Sequence, residues 1–301
     1  MDSTDCKDNS KVPQKKPQHF ILTRFNLFLW NKAKDGRKVR TTKWLEHRFH
    51  LFEKYCLPSI KNQTCQDFEW IVLFDSMTPD SFKERIASYQ SKCPQLIPVF
   101  VEPENGRYFA EIFRKEIVKR LSGKRVVSTY LDNDDALDVR FVEDLQHRFS
   151  GLNDGTFIFY DEGYQYYAEN NYMMGIAYPK NHFVSVVEDG NPATVKGIFG
   201  YGSHYYINKI VGVKIEHVKG MRMWCEIIHE KNVENDAYFL NAKMVHDADL
   251  LRRNFSIDET VQSGLGIYLF KFLPRYGRTY IRRTKNYLLK KRRDRYLFHE
   301  E

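Results

Sequence analysis

Val126-Val127-Ser128-Thr129-Tyr130-Leu131-Asp132-Asn133-Asp134-Asp135 sets the reading of the whole chain. Its first half is β-branched and aromatic, the composition of a buried strand, and its second half packs three carboxylates and an amide into four residues. Like charges this close repel, and a strand end that collects them is expected to be compensated by a cation. Hard divalent cations such as Mg2+ or Mn2+ take oxygen ligands and bridge to diphosphates. Extended backbone through the run would point Asp132 and Asp134 to one side. The competing reading is a helix N-cap, with Asp134 or Asp135 capping a helix expected to start near Leu137.

Upstream of this run, strand and helix signals alternate. Phe20 to Phe25 is a short apolar strand that opens through Arg24 and Asn26 toward a Lys- and Arg-rich loop from Asn31 to Thr42. Trp44, Leu45, Leu51, Phe52, Tyr55 and Ile60 fall at helical spacing, with Pro58 as a late kink or boundary. Phe68 to Asp75 is a second strand ending in a carboxylate. Thr78-Pro79-Asp80 opens a helix running to Ser91, and Leu96 to Val101 is a third strand whose Pro98 predicts an edge position. A helix from Tyr108 to Leu121 stops at Gly123. The alternation predicts an α/β fold with a central, mostly parallel sheet. Ligands of such open sheets sit outside the carboxyl ends of the strands, so Asn26, Asp75 and Asp132 to Asp135 are expected to converge on one crevice.

The second half predicts antiparallel additions to that sheet. Phe157 to Tyr160 reads as a strand ending in Asp161-Glu162, followed by short strands at Met174 to Tyr178, Val184 to Val187, Tyr205 to Ile207 and Val211 to Ile215. Tyr164, Tyr166, Tyr167 and Tyr172, set among Asn and Gln, suit the apolar faces and hydroxyls of sugar rings. Ordinary core and hairpin packing is the favoured reading for any single one of them.

The 301 residues, 42% of them apolar, are enough for a large core in one large domain or two modest ones. No apolar run reaches the length of about 18 residues that spans a bilayer, and Asp and Lys stand where a signal peptide has its apolar segment, so a cytoplasmic protein is expected. Five cysteines without a CxxC pair indicate neither a zinc knuckle nor a disulfide framework. The net charge of +8 is unevenly placed: Lys271 to Tyr296 holds eleven Lys or Arg against one Asp, a local +10 that leaves −2 for everything else. Residues 1–18 are polar and without period, and are expected to be a disordered tail.

Tyr55 to Asp75, reading YCLPSIKNQTCQDFEWIVLFD, resembles the helix, NQT turn and second strand of GT-A glycosyltransferases, where a C-x-x-S-I-x-x-Q-T segment precedes D-F-E-x-[IV]-[IV]. Leu131-Asp132-Asn133-Asp134-Asp135 is similar to their DxD motif. More narrowly, Arg24-Phe25, the LDNDDAL string and the segments Met223-Trp224 to His229 and Asn232 to Asn235 resemble the rhamnosyltransferase group of such enzymes. One departure stands at Phe74-Asp75-Ser76-Met77, where related enzymes often carry two acidic residues and Gly-Ser. The resemblance implies a GT-A domain over residues 19–250, with a nucleotide-sugar-binding half at 19–150 and an acceptor half at 151–250, followed by a basic helical extension at 251–301. It also implies a nucleotide-sugar donor at the strand ends. Asp75 would lie near the base or ribose, and Asp132 and Asp134, flanking Asn133, would hold the diphosphate through Mn2+ or Mg2+. Arg24, Asn26 and Arg107 are further donor-binding candidates.

Glycosyl transfer needs a stabilised leaving diphosphate, a base for the acceptor hydroxyl and exclusion of water. Asp161, Glu162, Glu226 and His229 are the candidate bases, and His229 doubles as a third metal ligand beside Asp132 and Asp134. The expected activity is metal-dependent transfer of rhamnose or another deoxyhexose to a saccharide or lipid-linked saccharide in surface polysaccharide synthesis. Residues 271–296 place Tyr280, Ile281, Tyr287 and Leu288 at helical spacing among Arg and Lys, a basic amphipathic helix suited to an anionic membrane surface. A location peripheral to the inner membrane face follows as an expectation, with nucleic acid the weaker reading of the same charge. The alternative function is a basic-tailed membrane or nucleic-acid adaptor with a decayed GT-A site.

Overall fold

The computed structural model describes residues 16–29, 41–229 and 241–297. Most of the expected tail and basic loop, and the Asn232 to Asn235 segment, lie outside the described residues. In chain order the elements are β1 (Gln18–Arg24), α1 (Thr42–Leu51), a π turn (Phe52–Cys56), α2 (Leu57–Lys61), β2 (Glu69–Asp75), α3 (Asp80–Lys92), β3 (Leu96–Val101), α4 (Phe109–Arg120), β4 (Val126–Tyr130), β5 (Ala136–Leu137) and α5 (Phe141–Phe149). The chain continues with β6 (Thr156–Tyr167), β7 (Tyr172–Ala177), β8 (Val184–Glu188), β9 (Lys214–Ile228), β10 (Lys243–Met244), α6 (Leu250–Phe255), α7 (Leu265–Ile267) and α8 (Leu273–Leu297).

Among the described residues ten strands form one sheet in the order β10-β7-β6-β8-β4-β1-β2-β3, with β9 paired to β5 and β6. The stretch β4-β1-β2-β3 is parallel. Antiparallel β8, β6, β7 and β10 extend it beyond β4. This is the expected α/β arrangement, a parallel core with antiparallel additions. Ile21, Trp70, Val72 and Phe74 pack on one face against Phe49, Phe52 and Phe82. Phe20, Leu22, Ile71 and Leu73 go to the other, against Phe113 and Ile117 of α4. Both faces are buried, which is why β1 and β2 are written as unbroken apolar runs. Each such side chain contributes about 1.5–3 kcal/mol by leaving water. Pro98 lies on β3, the outer strand, where its missing N–H deprives no neighbour. The helix expected from Lys43 widens into the π turn just before Pro58, which has no N–H to give the preceding turn.

Three local expectations change, and the aromatic residues of β6 and β7 are placed. No helix starts at Leu137: Ala136–Leu137 is β5, paired with Trp224 and Cys225 of β9, and α5 begins at Phe141. The Asp138 carboxylate accepts from the Arg140 backbone N–H at 3.0 Å and serves the turn into α5, so Asp134 and Asp135 are free of capping. β6 does not end at Asp161-Glu162 but continues for 12 residues in all. Asp161 meets His217 at 2.6 Å and Glu162 meets Arg222 at 2.9 Å, so both carboxylates are compensated within the ladder. Tyr205 to Ile207 lies in a 3-10 turn, His204–Lys209, because Ile207 is the one residue of the three that is buried. Tyr166, Tyr167 and Tyr172 belong to the core, with the Tyr167 and Tyr172 rings stacked at 4.4 Å.

Beyond β10, Leu250, Leu251, Phe255, Ile257 and Val261 are buried in one cluster with Tyr55, Tyr166 and Cys225. Among the described residues no helix is long and apolar enough to cross a membrane.

Candidate functional site

The parallel strands β1, β2 and β4 end at Arg24, Asp75 and Tyr130, and the loops that follow them meet. Asn26 and Asp75 are joined: Asn26 Oδ1 accepts the Asp75 backbone N–H at 3.0 Å, and Asn26 Nδ2 donates to Thr78 Oγ1 at 3.0 Å. Asp75 Oδ1 in turn accepts the Met77 N–H at 2.7 Å. Both expected donor-side residues are buried.

Each member of the acidic run has a different fate. The Tyr130 hydroxyl donates to Asp132, lying 2.9 and 2.8 Å from its two carboxylate oxygens, and accepts from Arg24 Nη2 at 2.8 Å. The Arg24 guanidinium is boxed by the rings of Phe109, Phe199 and Tyr130 at 4.7, 5.1 and 5.6 Å. Asn133 turns inward and donates to the carbonyls of Arg24 and Phe25 at 3.1 and 2.7 Å, fastening the acidic loop to the end of β1. Asp134 Oδ2 is held by Arg48 Nη1 at 2.6 Å and His229 Nε2 at 3.1 Å. Burial alone would raise the Asp134 carboxyl, but the Arg48 charge and the His229 hydrogen bond outweigh it and hold the group below the usual carboxylate range. Asp135 accepts the Ile227 N–H at 2.9 Å and faces His182 Nε2 at 2.8 Å. Burial pushes the Asp135 carboxyl up to about 7. Burial disfavours the charged His182 ring, yet Asp135 prevails and raises it to about 9.

Glu226 lies close enough to His182, Asp134 and Asp132 for their charges to act on it, and its carboxylate accepts from Gln165 Nε2 at 2.5 Å. Burial pushes its carboxyl above the usual range. Asp161 is buried against His217, and Glu162 is engaged by Arg222 and by the Gly220 N–H at 2.9 Å. Arg107 is exposed beside Tyr108 in the turn after β3. The structure therefore brings Arg24, Asp132, Asp134, Glu226 and His229 together, with Asn133 pinning the loop. It joins Asn26 to Asp75 and engages Asp161, Glu162 and Arg107 elsewhere.

Asp132, Asp135 and His182 offer ligand atoms that all lie within 4.8 Å of one another. Two carboxylates and an imidazole are a donor set suited to Mn2+, and the carboxylates alone to Mg2+, so these residues fit a divalent cation. The structure thus gathers a trio different from Asp132, Asp134 and His229. His182 escaped sequence reasoning because no spacing links it to an aspartate 47 positions earlier. Arg48 escaped it as one more polar position on a helix.

The family model described as "Putative rhamnosyl transferase" matches residues 20–238. No curated protein matches the chain. Among solved structures, residues 1–349 of S. aureus TarS are 12% identical over 70% of this chain and 60% of that chain, at a TM-score of 0.40. The same TarS segment in complex with UDP is 11% identical with the same coverage and a TM-score of 0.36. A "putative nucleotide-diphospho-sugar transferase" from Desulfovibrio desulfuricans G20 is 10% identical over 71% of this chain and 83% of that one, at 0.34. The chain spans about 60% of the length of the TarS segment it matches. The family match runs from β1 through β9 and includes the whole acidic run, and the chain belongs to the glycosyltransferase family so described.

Proposed function

We propose that this chain transfers a deoxyhexose, with rhamnose the first candidate, from a nucleotide-sugar donor to a saccharide or lipid-linked saccharide of a surface polysaccharide, using Mn2+ or Mg2+. The observation that carries this reading is the Asp132, Asp135 and His182 donor set beside Glu226, at the carboxyl ends of the parallel strands. These three residues would hold the cation, and a bound divalent cation supplies positive charge against the diphosphate oxygens. Arg24 orients Asp132 through the Tyr130 hydroxyl. Asn26 and Asp75 shape the nucleoside side, and Asp134 with Arg48 and His229 forms the adjoining wall.

Glu226 is the proposed base: a carboxyl raised by burial accepts a proton near neutral pH more readily than a solvated one. The acceptor oxygen forms its bond to the anomeric carbon as the bond from that carbon to the β-phosphate oxygen breaks. The proton passes to Glu226 and the electron pair leaves with the nucleoside diphosphate. A single displacement of this kind inverts the anomeric centre and needs no covalent intermediate.

In this proposal the catalytic body runs from residue 19 to Val261, since α6 and the residues after it are built into the core. The helical extension beyond it exposes Leu269, Phe270, Leu273, Tyr280, Ile281, Tyr287 and Leu288 among its basic residues, which supports docking on an anionic membrane where a lipid-linked acceptor would be found. Thermal unfolding with dTDP, UDP and GDP, with and without Mn2+, tests the enzyme reading. A Mn2+-dependent rise with at least one nucleotide, absent in Asp132→Ala, is expected. No shift from any nucleotide, with Asp132→Ala behaving as wild type, would overturn it.

A further inference from the structure

A line of aromatic rings leads outward from the carboxylate cluster. The His182 and His204 ring centroids are 6.0 Å apart, and those of His204 and Tyr205 are 4.0 Å apart. Tyr205 is hydrogen-bonded to the Tyr178 hydroxyl. His204 and Tyr205 sit on the long connection between β8 and β9, in the turn His204–Lys209, and meet Tyr178 and His182 of the connection between β7 and β8. Ile207, 2% exposed, fixes that turn to the core, while Tyr205 and Tyr206 remain 51% and 59% exposed. Their exposure is therefore imposed by an anchored turn, and adjacent large rings held in water mark a surface with a partner.

We propose that Tyr205, backed by His204 and tied to Tyr178, is the stacking platform for a pyranose ring of the acceptor and sets acceptor specificity. The inference rests on the glycosyltransferase reading of the crevice. A pyranose offers an apolar C–H face to the ring and hydroxyls to the Tyr178 and Tyr205 oxygens at its rim. Glu226 is close enough to Tyr178 for its charge to act on that hydroxyl. The nucleoside is the other flat partner a crevice of this kind takes. Its proposed place by Asn26 and Asp75 lies at the ends of β1 and β2, whereas His182, next to which the platform stands, leads into β8 on the far side of β4.

Saturation-transfer NMR with methyl pyranosides of rhamnose, glucose, galactose and N-acetylglucosamine tests this, with dTDP, UDP and GDP plus Mn2+ titrated into the same samples. At least one glycoside is expected to show ring-proton saturation with the wild type. The signal should fall roughly fivefold in Tyr205→Ala, the size of one stacking contact, and persist in Tyr205→Phe. Equal saturation of wild type and Tyr205→Ala, or none with any glycoside, overturns the platform. The nucleotide titration reports separately on the transferase reading. A missing nucleotide response with glycoside contact still lost in Tyr205→Ala removes the transfer and leaves the sugar platform standing.

Discussion

Arg48 Nη1 lies 2.6 Å from Asp134 Oδ2, joining α1 to the acidic run across 86 positions of sequence. Both side chains are mostly buried, at 24% and 17% exposure, and Arg48 is the first of the two partners, with His229, that compensate Asp134. Arg48→Ala is expected to cost about 3 kcal/mol, because removing one member of a buried pair strands its partner. Asp134→Asn in the same background should recover part of that loss. Urea unfolding of the two single variants and the double variant measures the coupling, and additive losses would contradict it.

His182→Ala is expected to weaken Mn2+ binding at least as much as loss of a supporting hydrogen bond does, on the order of 10–100-fold. Asp132→Ala should do the same, and His229→Ala much less, since His229 faces Asp134 and not the trio. Calorimetric titration with Mn2+ alone ranks the three variants. The reverse order would return the metal to Asp134.

Glu226→Gln should lower transfer by roughly 10²–10⁴-fold while leaving a shape that still accepts the Gln165 amide. Single-turnover measurement separates the chemical step from binding. A variant as fast as the wild type would direct attention to Asp161, whose carboxylate is paired with His217.

His19 is 1% exposed, with Nε2 2.9 Å from Thr129 Oγ1, and burial lowers its ring from 6.5 to about 3. The unfolded chain therefore binds a proton between these values that the folded one refuses. Stability should fall as pH drops below 6.5 toward 3, by up to about 1.4 kcal/mol per pH unit from this group. Comparing urea midpoints of wild type and His19→Gln between about pH 7 and 5 isolates the effect: the variant should lose part of the slope.

Gly163 on β6 has no room for a side chain, because a Cβ there would lie 2.1 Å from the Trp224 ring. Trp224 cannot retreat easily, being 1% exposed and donating from Nε1 to the Tyr160 carbonyl at 2.8 Å. Gly163→Ala should cost about 3 kcal/mol through overpacking, and scanning calorimetry would register a lowered Tm.

The parallel half was legible because its strands are buried on both faces and written as apolar runs that turns interrupt. The acidic run stood out as a candidate site for a related reason: no basic residue adjoins it in the sequence. Which acid does what was not legible, since Arg48, His182 and Ile227 reach it from distant positions and sort three chemically identical side chains. Asp161 and Glu162 were mistaken for a strand end because the partners that neutralise them, His217 and Arg222, lie on a neighbouring strand far along the chain. Tyr166, Tyr167 and Tyr172 are core, while Tyr205 and Tyr206, read as strand, face water because one isoleucine pins the turn between them and the sheet.

β6 hydrogen-bonds to β8, β7 and β9, and β8 hydrogen-bonds to the strand that leads into Asp132. The two walls of the crevice are thus leaves of a single sheet, and among the described residues the strands that carry them are joined edge to edge. Neither wall can shift without breaking the ladder that holds the other, so both should melt as one cooperative unit.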